Sequence, residues 1–198
     1  MANANAPRGL SPIQNGDGTP WNQQANMYYI PAADGSQYNI GDAVKSAAGG
    51  DANGVPQIAK AVAGDTLRGV IVGFRVTNPD TLAGTALPLE TLNVPATKTK
   101  DYYALVVDDP SVIFEIQDDG AAALTAAACN KNANIVVTNP TFGPNSASTL
   151  NSSTVAVTST FVLKIIGLVQ RPDNAFGAYA KWRVKINQHE LMGNTAGL

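Results

Sequence analysis

The chain has one cysteine, Cys129, and one histidine, His189, among its 198 residues. A lone cysteine excludes an intrachain disulfide and any all-cysteine metal site, and a lone histidine excludes the zinc sets that need two. Charge is scarce, with Asp, Glu, Lys and Arg making up only 14% of the chain, so the surface must be largely neutral and polar. The formal net charge of −2 and the sequence pI of about 5.2 leave no general electrostatic footprint for nucleic acid. No run of 18 apolar residues occurs, so no membrane span is expected, and the opening MANANAPRGL has neither the basic nor the apolar region of a secretion signal. Neither a G-x-S-x-G nucleophile elbow nor a G-x-x-x-x-G-K-[ST] phosphate loop is present. These absences argue against an enzyme and against a cofactor or metal. The single thiol suits synthesis in a reducing compartment.

Glycine (18) and proline (12) are plentiful, which favours many short elements separated by turns. The clearest stretch is residues 160–188, TFVLKIIGLVQRPDNAFGAYAKWRVKINQ, which reads as strand, turn, strand. Residues 161–169 are apolar and β-branched apart from Lys164 and Gly167, as in a strand covered on both faces. Arg171, Pro172, Asp173 and Asn174 form a turn, because proline removes a ladder donor while Asp and Asn support turns through their side chains. Residues 179–186 then alternate, with Tyr179, Trp182, Val184 and Ile186 inward and Lys181, Arg183 and Lys185 outward.

Earlier in the chain, residues 28–30 read as a short strand with residues 38–45 as its partner. Residues 67–76 form a strand bent at Gly69 and Gly73, residues 82–100 a long loop, and residues 101–107 and 112–117 a hairpin around Asp108-Asp109-Pro110. The alanine-rich AAALTAAACN after Asp119 and Gly120 reads as the one short helix. Residues 135–138 are a small strand, and residues 139–153 a polar loop. Eight or nine short strands with one helix point to an all-β fold, a jelly roll or β-sandwich, forming a single domain over residues 28–198. Residues 1–27 contain Pro7, Pro12 and Pro20 and few apolar side chains, and read as an extended N-terminal arm. Such an arm can be cut away without unfolding the domain.

Acidic and basic residues are segregated. Six carboxylates and no cation lie between Asp101 and Asp119, whereas Lys164, Arg171, Lys181, Arg183 and Lys185 face only Asp173 and Glu190 later on. The two segments are expected to meet, within the fold or across a subunit contact. The carboxylates Asp108, Asp109, Glu115, Asp118 and Asp119 include pairs of the kind that cleave glycosidic bonds, yet Asp-Asp-Pro and Asp-Asp-Gly are also ordinary turn and cap sequences, and that reading is preferred. Asp51-Ala52-Asn53-Gly54 matches a fragment of a calcium loop without the acidic residues that should follow. His189 reads as a surface or interface residue and Cys129 as a small packed apolar one. The Lys181, Arg183, Lys185 row does not make a nucleic-acid platform, since its aromatic neighbours point to the opposite face.

Several stretches, taken together and in order, resemble a known family: MANANAPRGL at the start, YYIPAADG at Tyr28, IGDAVK at Ile40, GVIVGF at Gly69, VDDPSVIFEIQ at Val107 and LKIIGLVQRPDNAFGAYAKWRVKINQH at Leu163. The likeness is to the head decoration, or cement, proteins of tailed bacteriophages. It implies a non-enzymatic virion protein, made in the host cytoplasm, that sits on the outer capsid surface and bridges neighbouring major capsid protein subunits as a homodimer or homotrimer. It implies no cofactor, no nucleic acid and no membrane among its partners. The contact residues expected on physical grounds are Arg8, Leu10, Pro12, Ile13 and Trp21 in the arm, with Arg171, Pro172 and Asp173 at an exposed turn. The alternative is a β-sandwich module on the phage surface that recognises host carbohydrate, because fold alone does not fix function.

Overall fold

The computed structural model describes residues 3–75, 93–141 and 143–192, so the loop expected over residues 82–100 lies partly outside the described residues. Fourteen short strands appear among them: β1 (Ser11–Gln14), β2 (Asn26–Ile30), β3 (Tyr38–Asn39), β4 (Ala43–Gly50), β5 (Pro56–Lys60), β6 (Gly69–Arg75), β7 (Asn93–Val94), β8 (Tyr102–Val107), β9 (Ile113–Gln117), β10 (Asn132–Ala133), β11 (Ile135–Val136), β12 (Thr149–Leu150), β13 (Leu163–Leu168) and β14 (Lys181–Ile186). The protein is all-β, as expected from its spacing of apolar runs and turns. No helix among the described residues is long and apolar enough to cross a membrane.

Two units account for most of the strands. A closed five-stranded barrel runs β2-β5-β4-β6-β8, with β8 pairing back onto β2, and a five-stranded antiparallel sheet runs β1-β9-β14-β13-β10. The barrel interior is filled by Tyr28, Ile30, Tyr38, Val44, Ile58, Ile71, Val94, Ala104 and Val106. A second, larger core lies outside the barrel. There Ala43, Val70 and Val107, facing away from the barrel interior, join Phe114, Ile116, Leu163, Ile165, Trp182 and Val184 of the sheet. The barrel wall is therefore one layer of a sandwich whose other layer is the sheet. Consecutive residues Val70 and Ile71 are both fully buried because they face different cores, which explains the unbroken apolar run in β6.

Chain geometry at this wall is tight. A Cβ on Gly69 would stand 2.3 Å from the Val107 carbonyl oxygen, so only glycine permits β6 to pass β8 there. Between the layers the chain crosses at Asp108-Asp109-Pro110. The hairpin expected there does not form: β8 belongs to the barrel and β9 to the sheet, and the acidic segment is the connection between them. Nor do residues 38–45 pair with β2. That stretch is split at Gly41, whose φ of +90° ends β3 before β4 begins, and β2 instead lies between β5 and β8.

The strand pair of residues 160–188 is present as β13 and β14, antiparallel, with Ile165 opposite Val184 and an irregularity before Gly167. Alternation in β14 is as read, with Trp182, Val184 and Ile186 buried and Lys181, Arg183 and Lys185 half-buried. Tyr179 stands outside the pattern with φ of +60°, and Ala180 takes the buried position. The acidic and basic segments do meet within the fold: β9 pairs with β14, placing Glu115 opposite Arg183. The alanine-rich segment does not form the helix expected of it. It contains a single 3-10 turn, Ala126–Ala128, capped by the Thr125 side chain, and no α-helix. Only Ala128 and Leu124 there are buried, so no apolar face exists to hold a longer helix against the body.

Asp118, at the end of β9, is fully buried and gathers four N–H donors: Gly120 at 2.9 Å, Tyr179 at 2.7 Å, Ala180 at 3.1 Å and the Trp182 indole at 3.0 Å. Burial pushes its carboxyl above the usual 3.8, opposed by those donors. The carboxylate fixes the start of β14 against the end of β9. We expect Asp118→Ala to lower the unfolding free energy by about 3 kcal/mol in urea titrations, because several donors lose their acceptor at once. A loss under about 1 kcal/mol would show that the donors find other partners.

Candidate partner-binding cleft

The N-terminal stretch expected as an arm is stitched onto its own domain. Asn3 donates to the Ala175 and Ala178 carbonyls at 2.8 and 2.9 Å and accepts from the Ala175 amide at 2.9 Å. Gln117 donates to the Ala4 carbonyl at 2.7 Å and accepts from the Ala6 amide at 3.0 Å. Leu10 is 1% exposed within the large core, and β1 then adds an edge strand to β9, with Pro12 opposite Phe114. Proline is tolerated there because an edge strand leaves alternate donors unpaired.

Where the stretch runs over the sheet it leaves a cleft of about 320 Å³, lined by Ala6, Arg8, Gly9 and Ser11 on one side and Glu115, Gln117, Arg171, Asp173 and Lys181 on the other. Three expected contact residues, Arg8, Arg171 and Asp173, are thus brought together from opposite ends of the chain. Arg171 donates to Glu115 at 2.7 Å and lies 3.7 Å from Asp173, which is 3.8 Å from Lys181. The turn carrying them is fixed by Asn174, whose side chain donates to the Val169 and Lys181 carbonyls and accepts from the Lys181 amide. Arg8 is exposed, and among the described residues no carboxylate pairs with it.

The other expected contact residues lie elsewhere. Pro172 is exposed at the turn, while Pro12 and Ile13 are half-buried in β1. Leu10 is committed to the chain's own core and is withdrawn as a partner contact: a side chain already out of water gains nothing from a second burial. Trp21 packs half-buried against the same core but lines a different pocket. Glu115, Gln117 and Lys181 complete the cleft and were not expected as contact residues. The alternation of β14 and the acidic run before it were the available signals for Lys181 and Glu115.

The second pocket, about 420 Å³, is lined by Asn15, Trp21, Gln23, Gln24, Ala25, Asn26, Val107, Asp108, Asp109 and Val112. Gln23 holds a φ of +67°, a conformation of order 1 kcal/mol above the ordinary for a residue with a Cβ. Asp108, one of the lining residues, accepts from Asn26 at 2.8 Å and from the Tyr28 hydroxyl at 2.6 Å, and Arg68 donates to that hydroxyl at 2.7 Å. Burial and then the Asp108 contact push the Tyr28 hydroxyl up to about 12. His189 is buried, 1% exposed, which corrects its expected place at the surface. Its Nδ1 accepts from the Leu191 amide at 3.0 Å, and its Nε2 has no hydrogen-bond partner among the described residues. Burial and then the Arg68 cation hold the imidazole below the usual 6.5, with Asp108, Glu190 and Asp109 pulling the other way.

Asp51 is an ordinary turn residue: its Oδ1 accepts from the Asn53 and Val55 amides and its Oδ2 from Tyr103. Among the described residues no three His, Cys, Asp or Glu side chains gather as a metal-binding group. Cys129 packs, partly buried, against the large core. Comparison of the chain with protein-family models, with curated proteins and with solved structures gave no match in any of the three.

Two outcomes are expected. Gln117→Ala removes both bonds to residues 4 and 6, so hydrogen exchange at the Ala6 amide should quicken about tenfold while β14 stays protected; unchanged exchange would mean the stretch is held by other contacts. For His189, the unfolded chain takes up a proton near pH 6.5 that the folded chain resists. Stability is therefore complete above about pH 6.5 and declines as pH falls below it. In His189→Gln the decline just below pH 6.5, followed by urea midpoints, should flatten; an unaltered profile would assign it to other groups.

Proposed function

We propose that the protein is a structural component of a tailed-phage head, a decoration protein that stabilises the outer capsid surface by bridging neighbouring major capsid protein subunits, working as a homo-oligomer and without catalysis. The observation that carries this reading is the cleft between the N-terminal stretch and the Arg171 turn. Three cations and two carboxylates line it. Four of these side chains are joined in one ion-paired network, which leaves Arg8 available to a partner carboxylate. The network joins Glu115 and Lys181, on the paired strands β9 and β14, to Arg171 and Asp173 in the turn that Asn174 fixes, so a docking partner meets charges already held together and less side-chain ordering is required. The likeness of the quoted stretches to cement proteins supports the same reading, as does a surface of mostly neutral polar groups, which suits repeated packing on a shell.

The structure changes how the reading should be tested. Removing residues 1–20 would strip β1 from the sheet and Leu10 from the core, confusing loss of folding with loss of contact. Charge reversal is cleaner. Arg8→Glu, alone and with Arg171→Glu, should reduce co-sedimentation with assembled heads by about tenfold or more, with the defect narrowing at high salt. Circular dichroism and thermal melting should stay near those of the parent, because exposed pairs contribute at most about 1 kcal/mol. Electron microscopy of heads carrying the parent protein should show an outer density touching several capsid subunits. Heads that mature without the chain, or full binding by the double variant, would refute the proposal.

A further inference from the structure

The second pocket lies apart from the charged cleft and has a different chemistry. Its lining is apolar at Trp21, Ala25, Val107 and Val112 and polar at the amides Asn15, Gln23, Gln24 and Asn26 and the carboxylates Asp108 and Asp109. Among the described residues no cation lines it. Arg68 is committed to Tyr28 and lies 3.6 Å from Asp108, and Lys185 and His189 act on Asp109.

The polar lining groups divide into those already used and those left over. Asp108 has both oxygens engaged, by Asn26 and Tyr28, and Asn15 donates to Thr19 and to the Pro20 carbonyl. Asp109 accepts from the Ser111 amide through one oxygen at 2.7 Å, and the Ser111 side chain also holds the carboxylate, so Asp109 is an acceptor that a ligand would share with Ser111. Among the described residues the side-chain amides of Gln23 and Gln24 make no hydrogen bond, and Gln23 is held at positive φ. The pocket therefore offers an indole among apolar side chains, two amides that can each donate and accept, and a carboxylate acceptor.

We propose that this pocket binds a neutral saccharide unit. A pyranose presents an apolar C–H face to an aromatic ring, and neighbouring hydroxyls that each donate and accept, as amides do. The volume falls in the range of small-molecule sites, roughly 300–1,000 Å³. The charge pattern selects against the alternatives. Phosphates and acidic sugars would meet two carboxylates and no cation among the described lining residues, and a bound metal ion would find both carboxylates already hydrogen-bonded. This assignment stands independently of shell contact, since it shares no residue with the charged cleft.

The test uses the full chain and four probes: glucose, galactose, N-acetylglucosamine and N-acetylneuraminic acid. Of the two tryptophans, Trp182 is fully buried with its indole bonded to Asp118, so a ligand at the pocket should shift the indole N–H resonance of Trp21 and leave that of Trp182 in place. At least one neutral sugar should bind saturably with Kd of about millimolar, as expected for so small a ligand, and the acidic sugar should not. Gln24→Ala and Asp109→Asn should each weaken binding about fivefold or more without altering the melting temperature; Asn at 109 keeps an acceptor for Ser111. No saturable shift with any neutral sugar, preference for the acidic one, or binding unaffected by both substitutions would overturn the proposal. Loss of decoration in the Arg8 and Arg171 variants with sugar binding intact would separate the two sites.

Discussion

The constraint on which the rest of the structure depends is that one wall of the barrel serves two cores. Val44, Ile71 and Val106 fill the barrel while Ala43, Val70 and Val107, their neighbours in sequence, face the sheet. A wall buried on both sides cannot carry polar alternation, and its strands must approach closely, hence Gly69 against the Val107 carbonyl. The chain must also leave the barrel at its end and start the second layer at once. Asp108 to Pro110 make that passage, with Asp108 anchored to Tyr28 and Asn26 on the barrel side and Val112 buried on the other. Both clefts lie where the N-terminal stretch covers the rim of this two-layer body.

The parts of this arrangement that could be read in the sequence are those with a strong local period or a charge contrast. β14 shows both, and its pairing with the acidic β9 follows from the segregation of carboxylates and cations along the chain. What could not be read is which strand leaves one layer for the other. A turn sequence such as Asp-Asp-Pro marks a change of direction without saying whether the next strand pairs with the last. Likewise, alanine favours a helix only when a face is buried, and at residues 124–128 two buried side chains hold no more than a 3-10 turn.

The candidate sites were legible in the same uneven way. Arg8, Arg171 and Asp173 were expected as contacts on separate grounds, and the fold brings them to one cleft. Leu10 and His189 misled because a single apolar or ionisable residue in a polar context carries no period. Their burial depends on partners far away in sequence, Gly41 for the Leu10 amide and Leu67, which bridges His189 beyond the end of β14. Trp21 was expected as an anchor for a partner. It lines the second pocket, apart from the charged cleft, because residues 15–26 bend from the sheet edge back to the barrel.

That bend gives the N-terminal stretch its part in both proposals. Residues 3–14 close the charged cleft and residues 15–26 close the polar pocket, so a segment too poor in apolar residues to fold alone becomes the cover of two recesses on a body that is already folded. Its order comes from side chains of that body, chiefly Gln117, and from Leu10 in the large core. A free arm would lose its conformational entropy at the moment of binding, whereas this one has lost it on folding. Arg8 and Gln24 therefore occupy positions set by the sheet and barrel, and the polar, proline-rich stretch that reads as an extended arm in the sequence lies as a cover at the edge of two cores.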